Sequence, residues 1–246
     1  MKIRLFTIPN SITLCNLFCG SCAAVSALVY NDLAMAFWLI IAAAIFDFFD
    51  GFVARLLKSY SEVGAQLDSL ADVISFGFAP AVVLFTLYRE SESLWQWSET
   101  VQAVGGLALF VVAIFSALRL AKFNVDETQT TEFCGLPVPA NALLLVSIGM
   151  LAQTRGLELP REALLAIAGI MSWLLIAPVR MFALKFHGFG WRGNELRYGF
   201  MLLSAVLVFV LGYFSIPVII IAYILISTVR WIVTLNRRGS DACDRT

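Results

Sequence analysis

Four aspartates stand inside or beside two apolar stretches of the chain. Their order is Asp47-x2-Asp50-Gly51-x2-Ala54-Arg55-x8-Gly64-x3-Asp68-x3-Asp72. Carboxylates are among the most costly side chains to place at membrane depth, so four together point to a function. On helices, Asp47 and Asp50 share one face, and so do Asp68 and Asp72. A short connection centred near Tyr60 makes the two helices antiparallel neighbours. Folding about it sets Asp50 level with Asp68, and Asp47 level with Asp72. Four negative charges converging just inside a membrane surface repel one another, and Arg55 alone does not neutralise them. One or two hard divalent cations do. The chemistry this predicts is metal-dependent handling of phosphate.

The elements that must position these groups are membrane helices. The chain is 60% hydrophobic and 14% charged, with a mean hydropathy of +0.86, outside the range of ordinary soluble domains. Eight apolar stretches, about 12–30, 34–57, 64–88, 101–122, 137–153, 163–184, 197–213 and 216–235, match the length that crosses a hydrocarbon core of about 30 Å. The pattern predicts an all-α, polytopic helical bundle, since lipid leaves few other ways to satisfy the backbone. It forms a single domain over 1–235, with the aspartate hairpin at about 34–88 and a short polar tail at 236–246. The first apolar stretch lacks a small-residue cleavage pattern and reads as a retained span.

Charge sets the expected orientation. Of the 17 Lys and Arg, only Arg89, Arg155 and Arg161 fall on the side opposite the hairpin turn. By the positive-inside rule both termini and the aspartate site face the cytoplasm, in the cell (inner) membrane. The acidic outer loop 89–100 carries Trp95 and Trp97, as an interfacial aromatic belt does. The loop 185–197 mixes basic and aromatic residues suited to anionic headgroups, so membrane lipids are expected partners. A formal net charge of zero and the lack of a basic run with interleaved aromatics give no sign of nucleic acid as a partner. Cys15, Cys19 and Cys22 share one face of the first span and read as small packing residues, while Cys134 and Cys243 lie on the reducing side. His187, the one histidine, sits in a loop with no ligand partner in view. Gly20 and Ala24 are small enough to pack helices within one subunit or between two.

The string Asp47 to Arg55, followed by Gly64, Asp68 and Asp72, resembles the full signature of the CDP-alcohol phosphotransferase family. Three further runs resemble the integral-membrane branch that takes L-serine as acceptor. They are Leu67 to Pro80, Arg119-Leu-Ala-Lys122-Phe-Asn124, and Gly135-Leu-Pro-Val-Pro-Ala-Asn141, together with Pro9-Asn10-x2-Thr13 near the N-terminus. The resemblance implies transfer of a phosphatidyl group from CDP-diacylglycerol to the serine hydroxyl, with release of CMP. It implies Asp47, Asp50, Asp68 and Asp72 as ligands of Mg2+ or Mn2+, two ions per site, and Asp72 also as the general base. It further implies Gly51, Ala54, Arg55, Ser61, Gly64, Asn10 and Thr13 as the CDP-lipid site, and a homodimer. Gly51 lets a nucleotide approach the helix backbone, and the Arg55 fork suits a phosphate oxygen.

Serine brings a carboxylate that calls for a cation. Arg119 and Lys122, one turn apart on one face of the fourth span, read either as interfacial anchors or as that partner, and the resemblance favours Arg119. Gly135 to Asn141 reads either as a turn and helix start or as a loop closing over the acceptor. Intramembrane carboxylates also build ion-coupled transporters, but that reading leaves Gly51, Ala54, Arg55 and Gly64 without a reason. Within the family, glycerol phosphate and inositol phosphate are rival acceptors, and each would call for more basic groups than Arg119 and Lys122 supply. Phospholipase-D-like enzymes use paired His-x-Lys motifs. His187 is followed by Gly188 and Phe189, so direct displacement is expected.

Overall fold

A computed structural model describes residues 6–59, 61–125, 132–182 and 194–243. Tyr60 and His187 lie outside the described residues, as does most of the loop 185–197.

Helix α1 (Ile8–Val29) starts where the extended Thr7 accepts the Asn10 N–H on its hydroxyl at 3.3 Å, with Pro9 in the first turn. Asp32 caps α2 (Leu33–Leu56) through the Met35 N–H at 2.7 Å. The chain then reverses through Lys58, a non-glycine residue at φ 50°. Ser61 caps the next helix by accepting the Gly64 N–H at 3.0 Å. That helix is continuous from Glu62 to Glu90. It begins as α3 (Glu62–Asp72), widens into a π-helical segment (Val73–Phe78) and resumes as α4 (Ala79–Glu90). Next come α5 (Glu99–Ala108) and α6 (Val111–Val125), then α7 (Val138–Arg155) and α8 (Arg161–Ile176). The last pair, α9 (Glu195–Leu211) and α10 (Ser215–Cys243), is joined by a 3-10 turn at Gly212–Phe214.

The helices alternate in direction. At one end, Gln153 donates to Asn31 O at 2.9 Å and accepts from Ala34 N at 2.7 Å, Asn31 bonds Glu90, Arg161 donates to Tyr88 O at 3.1 Å, and Arg155 lies over Phe214. At the other end are the α2–α3 turn and the Asn124 amide, which donates to Ser69 Oγ at 2.8 Å.

Among the described residues, five helical stretches are long and apolar enough to cross a membrane: Ile8–Val29, Leu33–Leu56, Glu62–Glu90, Glu99–Val125 and Glu195–Thr234. The last of these is the α9–α10 pair, which Gly212 at φ 58° divides. All eight expected stretches fall on helix, but the one read as 163–184 stops at Ile176. Ala177 precedes Pro178, which disfavours helical backbone there, and the chain turns extended. It then forms β2 (Arg180–Phe182), antiparallel to β1 (Glu132–Cys134), with Phe133 opposite Met181. The hydropathy pattern gave no sign of this ribbon. It rests on Gly135, at φ 85°, whose N–H donates to Val179 O at 2.9 Å and whose Cα faces Leu175 O too closely to admit a Cβ. The segment Gly135–Asn141 is thus a turn and a helix start.

The Glu62–Glu90 helix is central, with 72% of its apolar window buried, against 17% for Glu195–Thr234. Its π segment is gripped from two sides. Gly20 of α1 lies against Ser75 so closely that any Cβ would overlap the serine backbone, and Gly77 meets Ser116 of α6. Gly20 therefore packs helices within the subunit. Cys15, Cys19, Cys22 and Cys134 are all free thiols. Gly20→Val should destabilise the protein by about 1–3 kcal/mol, the usual cost of overpacking, and lower the Tm in detergent. Gly169→Ala, where a Cβ meets nothing within 4 Å, serves as the control.

Candidate active site

The α2–α3 hairpin is set by its two caps. The C-terminal half of α2 carries Asp47, Asp50 and Arg55, and α3 carries Asp68 and Asp72 on the facing side. Asp47, Asp50 and Asp68 each offer a carboxylate oxygen within 4.8 Å of the others. Asp72 stands beside Asp47 and is 7% exposed. Its Oδ1 accepts the Asn16 side-chain amide at 3.2 Å. Asn16 is fully buried on α1, and its backbone carbonyl accepts the Ser75 hydroxyl at 3.0 Å. Asp72 and the π segment behind it are thereby tied to the same turn of α1.

Asp50 Oδ2 and Asp68 Oδ1 are buried and have no hydrogen-bond partner. Two unit charges 4.8 Å apart repel by about 3.5 kcal/mol at an effective dielectric of about 20. A converging set of unpartnered hard oxygens fits a divalent cation such as Mg2+ or Mn2+.

Beside the carboxylates is a cavity of about 170 Å3 lined by α1, α2 and α3. Asn10, Thr13, Gly51, Ala54, Ser61 and Gly64 all line it, together with Asp50 and Asp68. The structure thus brings six of the seven residues of the expected CDP-lipid site around one space. Arg55, the seventh, is exposed at the rim, with a guanidinium nitrogen 3.9 Å from where a Cβ on Gly51 would stand. Nothing else lies within 4 Å of that point, so Gly51 leaves room that the protein itself does not fill. Gly64 differs, since a Cβ there would come within 3.0 Å of Asn10 Oδ1 and Ser61 Oγ. Thr13 donates its hydroxyl to Pro9 O at 3.1 Å and lies beside Asp50. A larger cavity, of about 680 Å3, opens at the opposite end of the bundle and includes none of the motif residues.

The two basic residues of α6 separate. Arg119 is 3% exposed, with its guanidinium 5.5 Å from the Phe123 ring centroid, and lies near Tyr223 of α10. Lys122 is exposed. They stand one turn apart on the helix, yet their surroundings differ, because residues 121–125 at the end of α6 are all exposed. Sequence reasoning missed Asn16 and the lining residues Ser59 and Ala65. A signal for Asn16 was present. Asn10, Thr13 and Asn16 repeat at three-residue steps along one stripe of a largely apolar helix.

The model of the CDP-alcohol phosphatidyltransferase family matches residues 6–180, which include α1, the hairpin, α6 and α7. The chain belongs to this family. Among similar proteins, the CDP-diacylglycerol–serine O-phosphatidyltransferase of Bacillus subtilis (strain 168) is 31% identical over 181 residues, covering 73% of this chain and 92% of the relative. The protein of the same name from Helicobacter pylori (strain J99) is 34% identical over 233 residues, 93% of this chain and 92% of the relative. That from Methanocaldococcus jannaschii is 35% identical over 151 residues, 61% of this chain and 64% of the relative.

Two measurements probe this member of the family. Mn2+ or Mg2+ should raise the Tm of the protein in detergent, since a cation bound only by the folded state stabilises it. Asp68→Asn should remove most of that rise and raise the metal-free Tm, because it takes one charge out of the cluster. Gly51→Ala should leave the Tm unchanged and weaken CDP binding by tenfold or more, on the order of a steric misfit of about 1.4 kcal/mol. Isothermal titration with CDP checks the second.

Proposed function

We propose that this protein transfers the phosphatidyl group of CDP-diacylglycerol to the hydroxyl of L-serine, releasing CMP. The observation that carries the reading is the convergence of Asp47, Asp50 and Asp68 beside a cavity lined by the rest of the motif. The names of the relatives support serine as the acceptor. So does Arg119, buried at the end of α6 and matched in charge to one carboxylate.

In this reading the four aspartates hold Mg2+ or Mn2+, and the family resemblance gives two ions. Bound cations would offset the charge of the pyrophosphate as CMP departs. Asn10, Thr13, Ser61 and Gly64 hold the nucleotide part, and Gly51 and Ala54 let it approach α2. Arg55 meets a phosphate oxygen from the rim. Asp72 takes the proton from the serine hydroxyl. That oxygen forms its bond to the diacylglycerol-bearing phosphorus, and the bond from phosphorus to the CMP oxygen breaks, with its electron pair leaving on CMP. Asp72 suits this role because it stands outside the tight group of three, and a carboxylate less committed to a cation is the better base. Asn16 fixes its orientation. Arg119 pairs with the serine carboxylate, and Lys122 gathers anions at the surface.

The same reading gives the protein eight crossings of the inner membrane, with both termini and the active site on the cytoplasmic side. The excess of Lys and Arg at the hairpin end and the alternation of helix direction support this. The homodimer rests on the family resemblance.

Purified protein in detergent, given CDP-diacylglycerol and a panel of acceptors, should release CMP only with L-serine and only with Mg2+ or Mn2+. Release with glycerol phosphate or inositol phosphate instead would move the protein to another branch of the family. No release from folded protein under any condition would overturn the enzymatic reading. Arg119→Ala should raise the serine KM by roughly tenfold to a hundredfold, as loss of a charged hydrogen bond does, with little change in the KM for CDP-diacylglycerol. An unchanged serine KM would remove Arg119 from the pocket.

A further inference from the structure

The mechanism above leaves unused a set of buried polar groups around the π segment. Asn141, on the first turn of α7, is fully buried, and neither its Oδ1 nor its Nδ2 has a hydrogen-bond partner. An asparagine amide carries two donors and two acceptor sites, and interior amides are almost always bonded. An amide buried with nothing to bond is a group awaiting a partner.

Its depth matches that of the aspartates. Gly149 of α7 packs on Val83 of α4, and the two helices run the same way. Eight residues back along each, Asn141 comes level with Ser75, the residue bonded to the Asn16 turn that holds Asp72. Helix α7 packs directly on the π segment and on α10. Across the π segment, Ser116 of α6 meets Gly77, and its hydroxyl is also buried without a partner. Arg119 follows one turn further along α6, against α10. Helices α6, α7 and α10 and the π segment thus bring polar groups of complementary type to one level of an otherwise apolar bundle.

We infer that Asn141 binds the polar groups of an α-amino acid acceptor. Its Oδ1 accepts from the ammonium, and its Nδ2 donates to the carboxylate that Arg119 neutralises. The amide is the element that tells an amino acid from a polyol, because a polyol brings no ammonium. This inference rests on the serine reading above.

The test compares wild type, Asn141→Leu and Asn141→Ala by CMP release at saturating Mn2+, with L-serine and CDP-diacylglycerol each titrated while the other is saturating, alongside the Tm in detergent. Leucine has a similar volume and removes two unpartnered polar atoms, so Asn141→Leu should melt no lower than wild type. Both variants should raise the serine KM about tenfold or more, the scale of a lost hydrogen bond to a charged group. The KM for CDP-diacylglycerol and the Tm rise with Mn2+ should not change. A serine KM within twofold of wild type would overturn the inference. So would a parallel rise in both KM values with a lowered Tm, or a failure of both variants to fold, each of which marks a packing role. A wild type that releases CMP only with another acceptor would instead overturn the serine reading itself.

Discussion

Mutual repulsion among carboxylates held inside a membrane bundle is the interaction around which this structure is organised. Asp47, Asp50 and Asp68 lie within 4.8 Å of one another, with Asp72 adjoining. Side chains free to move would relieve that repulsion by turning apart. They are prevented by a scaffold that fixes the backbone on both sides. Ser61 sets the start of α3, the Asn16 amide holds Asp72, and the close meeting of Gly20 with Ser75 pins the helix just beyond it. Charge concentrated this way is unfavourable for the metal-free fold and favourable for cation binding. That trade is the usual one at a functional site.

The π segment is central to this arrangement. It begins at Val73, directly after Asp72, so the helix changes its winding at the point where the aspartate face ends. Widened turns of this kind re-aim the residues that follow, and they recur at functional sites. Here it gives small residues to both neighbours, Ser75 to Gly20 of α1 and Gly77 to Ser116 of α6. The same turn therefore brings the helix of the candidate nucleotide site and the helix of the candidate acceptor site against one element. Burial follows the same plan. The Glu62–Glu90 helix is enclosed, whereas the Glu195–Thr234 pair presents apolar side chains outward, as lipid-facing helices do.

Much of the site was legible in the sequence because a helix makes spacing into geometry. The intervals from Asp47 to Asp72 are enough to put the carboxylates on facing stripes of a hairpin, and the cavity collects Asn10, Thr13, Gly51, Ala54, Ser61 and Gly64. The apolar stretches fell on helix, since hydropathy over a span is a sum that single residues rarely overturn. What escaped was decided by one-to-one contacts. Asn16 could be picked out only as a polar residue on an apolar helix, and its partner, Asp72, lies 56 positions away. Lys122 shared a predicted face with Arg119, yet the two divide into exposed and buried because the last turn of α6, from residue 121 on, is exposed.

By itself, then, the sequence determined the helical class, the hairpin and the identity of its metal-suited carboxylates, because these depend on local periodicity and on the cost of charge in an apolar setting. Only the tertiary structure decided the π segment, the β1–β2 ribbon and the level at which Asn141 meets Ser75. These depend on steric fit between segments far apart in the chain. Gly20 and Gly77 are ordinary glycines until Ser75 and Ser116 stand against them. The extended turn at Ala177 becomes a strand only because Glu132–Cys134 lies alongside to pair with it.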